Sequence, residues 1–323
     1  MIYNNLLNLV FDDVFLSLDD VVHERTINLK MEGFSIGGSI KIKPAIKSIS
    51  RMELEGTLTH GKTVIESSSG NFGIALSIVC ASKGYQFICV TDPNILPSSE
   101  RLIRAYGGEI IKVTKKDSNG GYLQERIDTI RTMTAADSNL IWVNQYCNID
   151  NLDAHYLNTG PNILKQFPHL DYLFVGAGTT GTLGGVSRYF HEYSPHTKII
   201  AVDSKGSVTF GGKSGKRLIP GLGTSSPPAI RTRAIYDDLV MVGEDDTIKM
   251  CQKLARKGLL VGGSTGTVIQ GILQYSGNIP KESSIVAISP DFGEKYTNTI
   301  FNSIWVKENF PDMDYQERLE EVI

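Results

Sequence analysis

Residues 171–182 read DYLFVGAGTTGT. The apolar LFV is a strand, and Gly176-Ala177-Gly178-Thr179-Thr180-Gly181 is a glycine turn. TLGGVSRYFHEY (182–193) then has helical spacing, and KIIAVD (198–203) is the next strand, ending at Asp203. Strand, glycine turn, helix, strand is the unit from which parallel α/β sheets are built. The turn matches GxGxxG, with an acid about twenty residues on, which is the dinucleotide fingerprint in its required context. Its physics is more general than that. Glycines let the backbone approach an anion, and free N–H groups at a helix start favour negative charge. By itself the turn admits a nicotinamide dinucleotide, another phosphorylated ligand, or a packing role.

Outward from this unit the pattern recurs. KTVIES (62–67) runs into SSGNFG and a helix ended by Gly84. QFICVT (86–91), EIIKV (109–113) and LIWVNQY (140–146) are further strands, with helices opened by Pro97-Ser98 and spanning 121–133. A helix is expected over 153–165. Beyond Asp203, residues 204–235 are rich in Gly, Ser, Pro and Lys, too long for a plain connection and so functional or mobile. A helix over 246–256, the turn GGSTG, a helix over 266–275 and the strand SSIVAIS (283–289) complete the series. Continuous apolar strands alternating with helices imply mostly parallel sheets covered on both faces. In such folds ligands sit beyond the carboxyl ends of the strands. The tail after Trp305 is charged and uninformative.

The chain has 323 residues, enough for two domains. Hydrophobic residues at 41% and charged residues at 21% exclude a disordered chain. Lys+Arg of 32 against Asp+Glu of 35 leaves a net charge of −3, so no bulk basic charge marks a nucleic-acid binder. No apolar run reaches the roughly 18 residues of a membrane span. The N-terminus carries acids where a signal peptide would be basic. Cys80, Cys89, Cys147 and Cys251 form no CxxC pair. No zinc cluster or disulfide framework is expected, and a reducing cytoplasm fits.

Three more turns carry chemistry. Ser67-Ser68-Ser69-Gly70-Asn71 opens a helix with more hydroxyls than one cap needs, which suggests a loop for a carboxylate or phosphate. Lys41 follows Gly37-Gly38-Ser39-Ile40. If shielded it would be a nucleophile, and if solvated an ordinary surface lysine. Gly262-Gly263-Ser264-Thr265-Gly266 is another ligand turn or another cap.

Taken together, GGSIK, SSSGN, GTTGT and GGSTG, in this order and spacing, resemble the cysteine synthase and cystathionine β-synthase family, fold-type II enzymes dependent on pyridoxal 5′-phosphate. Asn144-Gln145-Tyr146-Cys147-Asn148, His155 with Thr159-Gly160-Pro161, and Pro290-Asp291-Phe292-Gly293-Glu294-Lys295-Tyr296 agree with it. The resemblance runs from about residue 33 to about residue 300. GGYLQERI (120–127), VNQYCN (143–148), AVDSKGSVTFGG (201–212) and PGLGTS (220–225) look, more narrowly, like synthases that make N-(2-amino-2-carboxyethyl)-L-glutamate, a precursor of 2,3-diaminopropionate for siderophores and peptide antibiotics. Three residues depart from the family pattern. Ile42-Lys43 stand where Asp-Arg is usual, and Thr180 stands where the phosphate loop usually has Gly. The first thirty residues match poorly.

The resemblance implies two three-layer α/β domains of the tryptophan synthase β-subunit kind. Residues 37–147 would form a smaller, mobile domain, and 1–36 with 148–323 a larger one that binds the cofactor. It implies that Lys41 holds pyridoxal phosphate as a Schiff base and acts as the base. Asn71 would lie beside the phenolic oxygen, Gly178, Thr179, Thr180, Gly181 and Thr182 around the phosphate, and Ser264 at the pyridine nitrogen. Ser68, Ser69, Gly70 and Asn71 would grip the substrate α-carboxylate, with Gln145 nearby. A neutral serine at the ring nitrogen suits prompt β-elimination to an aminoacrylate, then addition of a nucleophile. The first substrate is expected to be an activated L-serine, O-phospho-L-serine being favoured, with Arg126 and Tyr146 on its phosphate. The second is expected to be L-glutamate, with Lys205, Lys213, Lys216 and Arg217 as candidate cations. Cysteine synthesis from sulfide is the runner-up; NAD(P) binding or a non-catalytic relative is more distant. A homodimer is expected by the same resemblance, with no nucleic-acid or membrane partner.

Overall fold

The computed structural model describes residues 2–22, 25–116 and 121–313. Gly120 of the GGYLQERI stretch and the tail from residue 314 lie outside the described residues.

Two sheets organise the chain. The smaller is parallel throughout and runs β5-β4-β3-β6, from β3 (Thr63–Ser67), β4 (Gln86–Thr91), β5 (Glu109–Lys112) and β6 (Leu140–Trp142). The larger has six strands in the order β1-β2-β10-β7-β8-β9. They are β1 (Phe15–Val22), β2 (Arg25–Met31), β7 (Tyr172–Gly176), β8 (Lys198–Ser204), β9 (Asp238–Val242) and β10 (Ile285–Ser289). It is parallel except where β1 pairs antiparallel with β2.

Period-two alternation decides which helices cover which face. In β7, Tyr172 and Phe174 join one core while Leu173 and Val175 join the opposite one. Ile200 and Val202 of β8 and Ile285 and Ala287 of β10 follow the first pair. That face packs on α8 (Glu244–Ala255), α9 (Gly263–Tyr275) and α10 (Ser303–Asn309). The other face packs on α6 (Gly160–Gln166) and α7 (Gly181–Tyr193). In the small sheet Val64, Phe87 and Cys89 face α1 (Ile42–Leu54), α2 (Asn71–Lys83) and α3 (Pro97–Ala105). Ile65 and Val90 face α4 (Leu123–Ala136). Leu7 and Val10, from the N-terminal segment, also pack into the core of the small sheet.

Four features differ from the sequence expectations. The N-terminus forms the β1–β2 hairpin at the sheet edge. The 204–235 loop leads to an edge strand, β9, that its mixed composition concealed. The helix expected over 153–165 is α5 (Asp150–Ala154), a widened π turn over His155–Thr159, and α6. A short helix, α10, occupies the charged tail, capped where the Asn302 side chain accepts from Trp305 N. No helix among the described residues is long and apolar enough to cross a membrane.

Candidate active site

The turns singled out in the sequence emerge at the carboxyl ends of β3, β7 and β10 and at the start of α9, where α/β sheets place their ligands. Lys41 is the N-cap residue of α1. Gly37 (φ +81°) and Gly38 (φ +64°) lead into it through left-handed backbone that only glycine enters without strain. Lys41 is partly exposed, and desolvation lowers its ammonium from the ordinary 10.5 to about 8. It is therefore a shielded amine, not a solvated one.

Ser68 Oγ accepts from the amides of Gly73 (2.9 Å) and Gly70 (3.3 Å), so this hydroxyl caps α2. Ser69 and Gly70 remain partly exposed beside it. Asn71 faces the loop after β10. Its amide donates to Asp291 Oδ2 at 2.7 Å, and its oxygen accepts from Lys295 Nζ at 2.5 Å. Tyr296 O–H donates to the same Asp291 oxygen at 2.5 Å. The sequence marked the stretch 290–296 but gave it no task. Its polar residues hold Asn71.

Gln145 is buried and ties the loops together. Its side chain donates to Ser67 O at 2.8 Å and its backbone amide to Glu66 Oε2 at 3.2 Å. Burial raises Glu66 to about 7, against the pull of the Ser67 and Gln145 amides. Asn151 Nδ2 donates both to Gln145 O and to Thr179 Oγ1, each at 2.9 Å, joining the loop after β6 to the glycine turn. Nothing in the sequence had marked Asn151.

The glycine turn is a tight cradle. A Cβ on Gly178 would lie 2.7 Å from Gly221 O, and one on Gly181 would lie 2.3 Å from Asn151 Oδ1. Thr180 sits at φ +66°, the conformation for which glycine is the default, and its hydroxyl donates to Thr179 O at 2.6 Å. The amides of Gly181, Thr182 and Leu183 open α7 and so have no acceptor within the helix. Thr182 Oγ1 lies 3.1 Å from His155 Nε2. Ser264 is buried one residue into α9, beneath Gly221.

Arg126 is buried, with Nη1 3.2 Å from Asp92 Oδ2, and among the described residues its Nε and Nη1 make no hydrogen bond of good geometry. Tyr146 is partly buried. Burial raises its phenol, and Arg126 and Arg217 pull the other way, so both cations act on it. Of the loop cations, Lys205, Lys213 and Lys216 are exposed, whereas Arg217 is partly buried and donates to Leu222 O at 3.1 Å. Asp203 is fully buried, accepts from Ser204 N at 2.7 Å and is raised to about 6 by burial. A carboxylate so enclosed is turned away from any ribose, which removes the second half of the dinucleotide fingerprint.

A cavity of about 500 Å³ lies between residues 4–8 and Ile46, Ser50, Ser82 and Lys83, away from the site residues. One of about 300 Å³ opens beside Gly37, Gly38 and Lys295, next to the Lys41 turn.

A shielded lysine, a glycine–threonine cradle at a helix start and a buried serine at a second helix start define a class of site for a phosphorylated, amine-reactive cofactor. The chain belongs to the family of pyridoxal-phosphate dependent enzymes, whose pattern its residues 16–291 match. It is 39% identical over 279 residues, 86% of this chain and 82% of the relative, to the N-(2-amino-2-carboxyethyl)-L-glutamate synthase of Ralstonia nicotianae. Two solved structures share the fold. A hydrogen sulfide-producing enzyme from Fusobacterium nucleatum has a TM-score of 0.85 and 30% identity, over 91% of this chain and 100% of that one. An O-acetylserine dependent cystathionine β-synthase from Helicobacter pylori has a TM-score of 0.86 and 26% identity, over 93% and 98%. The residues present fit pyridoxal phosphate. The cradle has no room for a Cβ at Gly178 or Gly181, its donors suit a phosphate, and Lys41 is an amine of the kind a carbonyl cofactor needs.

Proposed function

We propose that the enzyme replaces the phosphate of O-phospho-L-serine with L-glutamate, forming N-(2-amino-2-carboxyethyl)-L-glutamate, the precursor of 2,3-diaminopropionate for siderophore or peptide antibiotic synthesis. The likeness to the Ralstonia synthase supports the reaction class. The observation that carries the leaving group is Arg126, a buried guanidinium whose Nε has no hydrogen-bond partner among the described residues and whose Nη1 faces only the Asp92 carboxylate there, acting on Tyr146. A phosphate would satisfy those donors, and acetate would satisfy fewer.

In this reading pyridoxal phosphate supplies the electron sink for breaking the Cα–H and Cβ–O bonds. The chain's residues do the rest. Lys41, Asn71, Gly178, Thr179, Thr180, Gly181, Thr182 and Ser264 hold the cofactor, and Lys41 moves the Cα proton. Ser69, Gly70 and Gln145 receive the substrate carboxylate, with Ser68 and Asn71 shaping that loop. Residues 37–147 move as a smaller domain that shuts out water. The protein works as a homodimer in the cytoplasm.

Sulfide as nucleophile is the second reading, favoured by the sulfide-producing structural relative. Visible spectra of the purified protein separate the two. A yellow band that shifts with O-phospho-L-serine and returns with glutamate supports the proposal. A band that ignores phosphoserine but answers acetylserine and sulfide overturns it. Arg126→Lys keeps a cation opposite Asp92 but loses the fork, and should lower kcat/KM for phosphoserine roughly tenfold or more while sparing acetylserine. Equal losses for both substrates would remove Arg126 from the phosphate site.

A further inference from the structure

The family's usual Asp-Arg after the cofactor lysine is Ile42-Lys43 here, and the structure shows where Lys43 goes. Its Nζ donates to Asp12, to Glu32 Oε1 at 2.8 Å and to Thr159 Oγ1 at 3.2 Å. Thr159 Oγ1 lies 3.0 Å from His155 Nδ1, both inside the widened π turn, and His155 Nε2 lies 3.1 Å from Thr182 Oγ1. A continuous chain of polar atoms thus links the residue two places after Lys41 to the cradle.

Its direction follows from donor chemistry. An ammonium only donates, so Thr159 Oγ1 accepts from Lys43. Among the described residues that hydroxyl has one other polar partner, His155 Nδ1, which gives its hydrogen a place if Nδ1 accepts. His155 is fully buried, and burial together with Lys43, Lys41 and Lys30 holds it well below its ordinary value, hence neutral. A neutral imidazole that accepts at Nδ1 carries its proton at Nε2. It therefore donates to Thr182, and the Thr182 hydroxyl keeps its own hydrogen for an acceptor outside the chain. Thr182 is partly exposed, in the first turn of α7.

We infer that Lys43, acting through Thr159 and His155, fixes the polarity of the Thr182 hydroxyl so that it donates to the cofactor phosphate. Lys43, Thr159 and His155 are positioning residues. The inference rests on the family's cofactor and not on which substrates are used.

Histidine ¹⁵N NMR tests the direction. Wild-type protein should show His155 as the neutral tautomer with its proton on Nε2. Thr159→Val, which leaves the Lys43 ion pairs in place, should mix the tautomers. It should also shift the ³¹P resonance of bound pyridoxal phosphate and weaken its binding by roughly three- to tenfold. Thr159→Ser should restore both. A proton on Nδ1, a charged imidazole at neutral pH, or wild-type affinity and ³¹P shift in Thr159→Val would each overturn the relay. Failure of the wild-type chain to take up any pyridoxal phosphate would instead overturn the reading of the site, and the relay with it.

Discussion

At Lys41 the surroundings convert a common residue into a reagent. Desolvation brings its ammonium down to about 8, so near neutral pH a minority of molecules carries the free amine. Only that form attacks a carbonyl. Uptake of pyridoxal phosphate by cofactor-free protein should slow about tenfold for each pH unit below 8 and level off above it, followed by growth of the visible band. A rate independent of pH between 6 and 8 would mean that the amine is never the titrating group. Lys41→Ala should give no visible band at all. Gly181 makes the complementary point about space. Its Cβ would fall 2.3 Å from Asn151 Oδ1, so Gly181→Ala must displace the side chain that holds both Gln145 O and Thr179 Oγ1. A loss of about 1–3 kcal/mol in urea unfolding is expected, with weakened cofactor binding. The glycine turns were legible because a turn's chemistry is local, whereas Lys41 by itself read equally as a surface lysine and stood out only when the four turns were taken together. Asn151, Asp92 and Glu66 were not. Each acts on a residue far away in sequence, Asn151 on Thr179 and Asp92 on Arg126, and only folding brings them together.

Among the elements, strands with apolar residues on both faces announced themselves, since burial on two sides leaves few polar positions. The edge strands did not. β1 contains Ser17 and Asp19 among its outward positions, and β9 begins at the exposed Asp238, because an edge has less to bury. The segments flanking the β1–β2 hairpin carry the charge that Lys43 requires. Lys30, fully buried in β2, lies 3.1 Å from both Asp12 and Glu32, and Lys43 meets the same two carboxylates. Burial pushes the Asp12 carboxyl up, but Lys43 and Lys30 outweigh it and hold the group below 3.8. A carboxyl depressed by folding contributes stability that is full above its unfolded value and is lost as pH falls through its folded value. Asp12→Asn should therefore destabilise the protein by about 2 kcal/mol at pH 7. The deficit should shrink below pH 4, read from urea midpoints across that range. A constant deficit down to pH 3 would mean that the charge of Asp12 contributes nothing.

On the scale of the whole molecule, two sheets with separate cores meet at the site, and polar side chains cross between them. Asn71 belongs to the helix that follows the first strand of the small sheet. Asp291, Lys295 and Tyr296 belong to the loop after β10 of the large one. Ser98, at the start of α3, donates to Lys295 O at 3.0 Å on the same side. Asp291 is the keystone: it is buried, its Oδ1 has no hydrogen-bond partner among the described residues, and its Oδ2 takes both Asn71 and Tyr296, with Lys295 Nζ 3.6 Å away. Removing one donor from a carboxylate already short of partners leaves more buried charge uncompensated. Tyr296→Phe deletes only a hydroxyl, so packing is kept while that donor is lost. Unfolding should become easier by about 1–3 kcal/mol. Hydrogen exchange is the more telling readout. If this loop couples the two sheets, amides of residues 67–73 should exchange faster along with those of 290–296, through Asp291 and through the Tyr296 hydroxyl that lies 3.5 Å from Asn71 Nδ2. Faster exchange confined to 290–296 would mean that the loop holds itself and that Asn71 is only its neighbour.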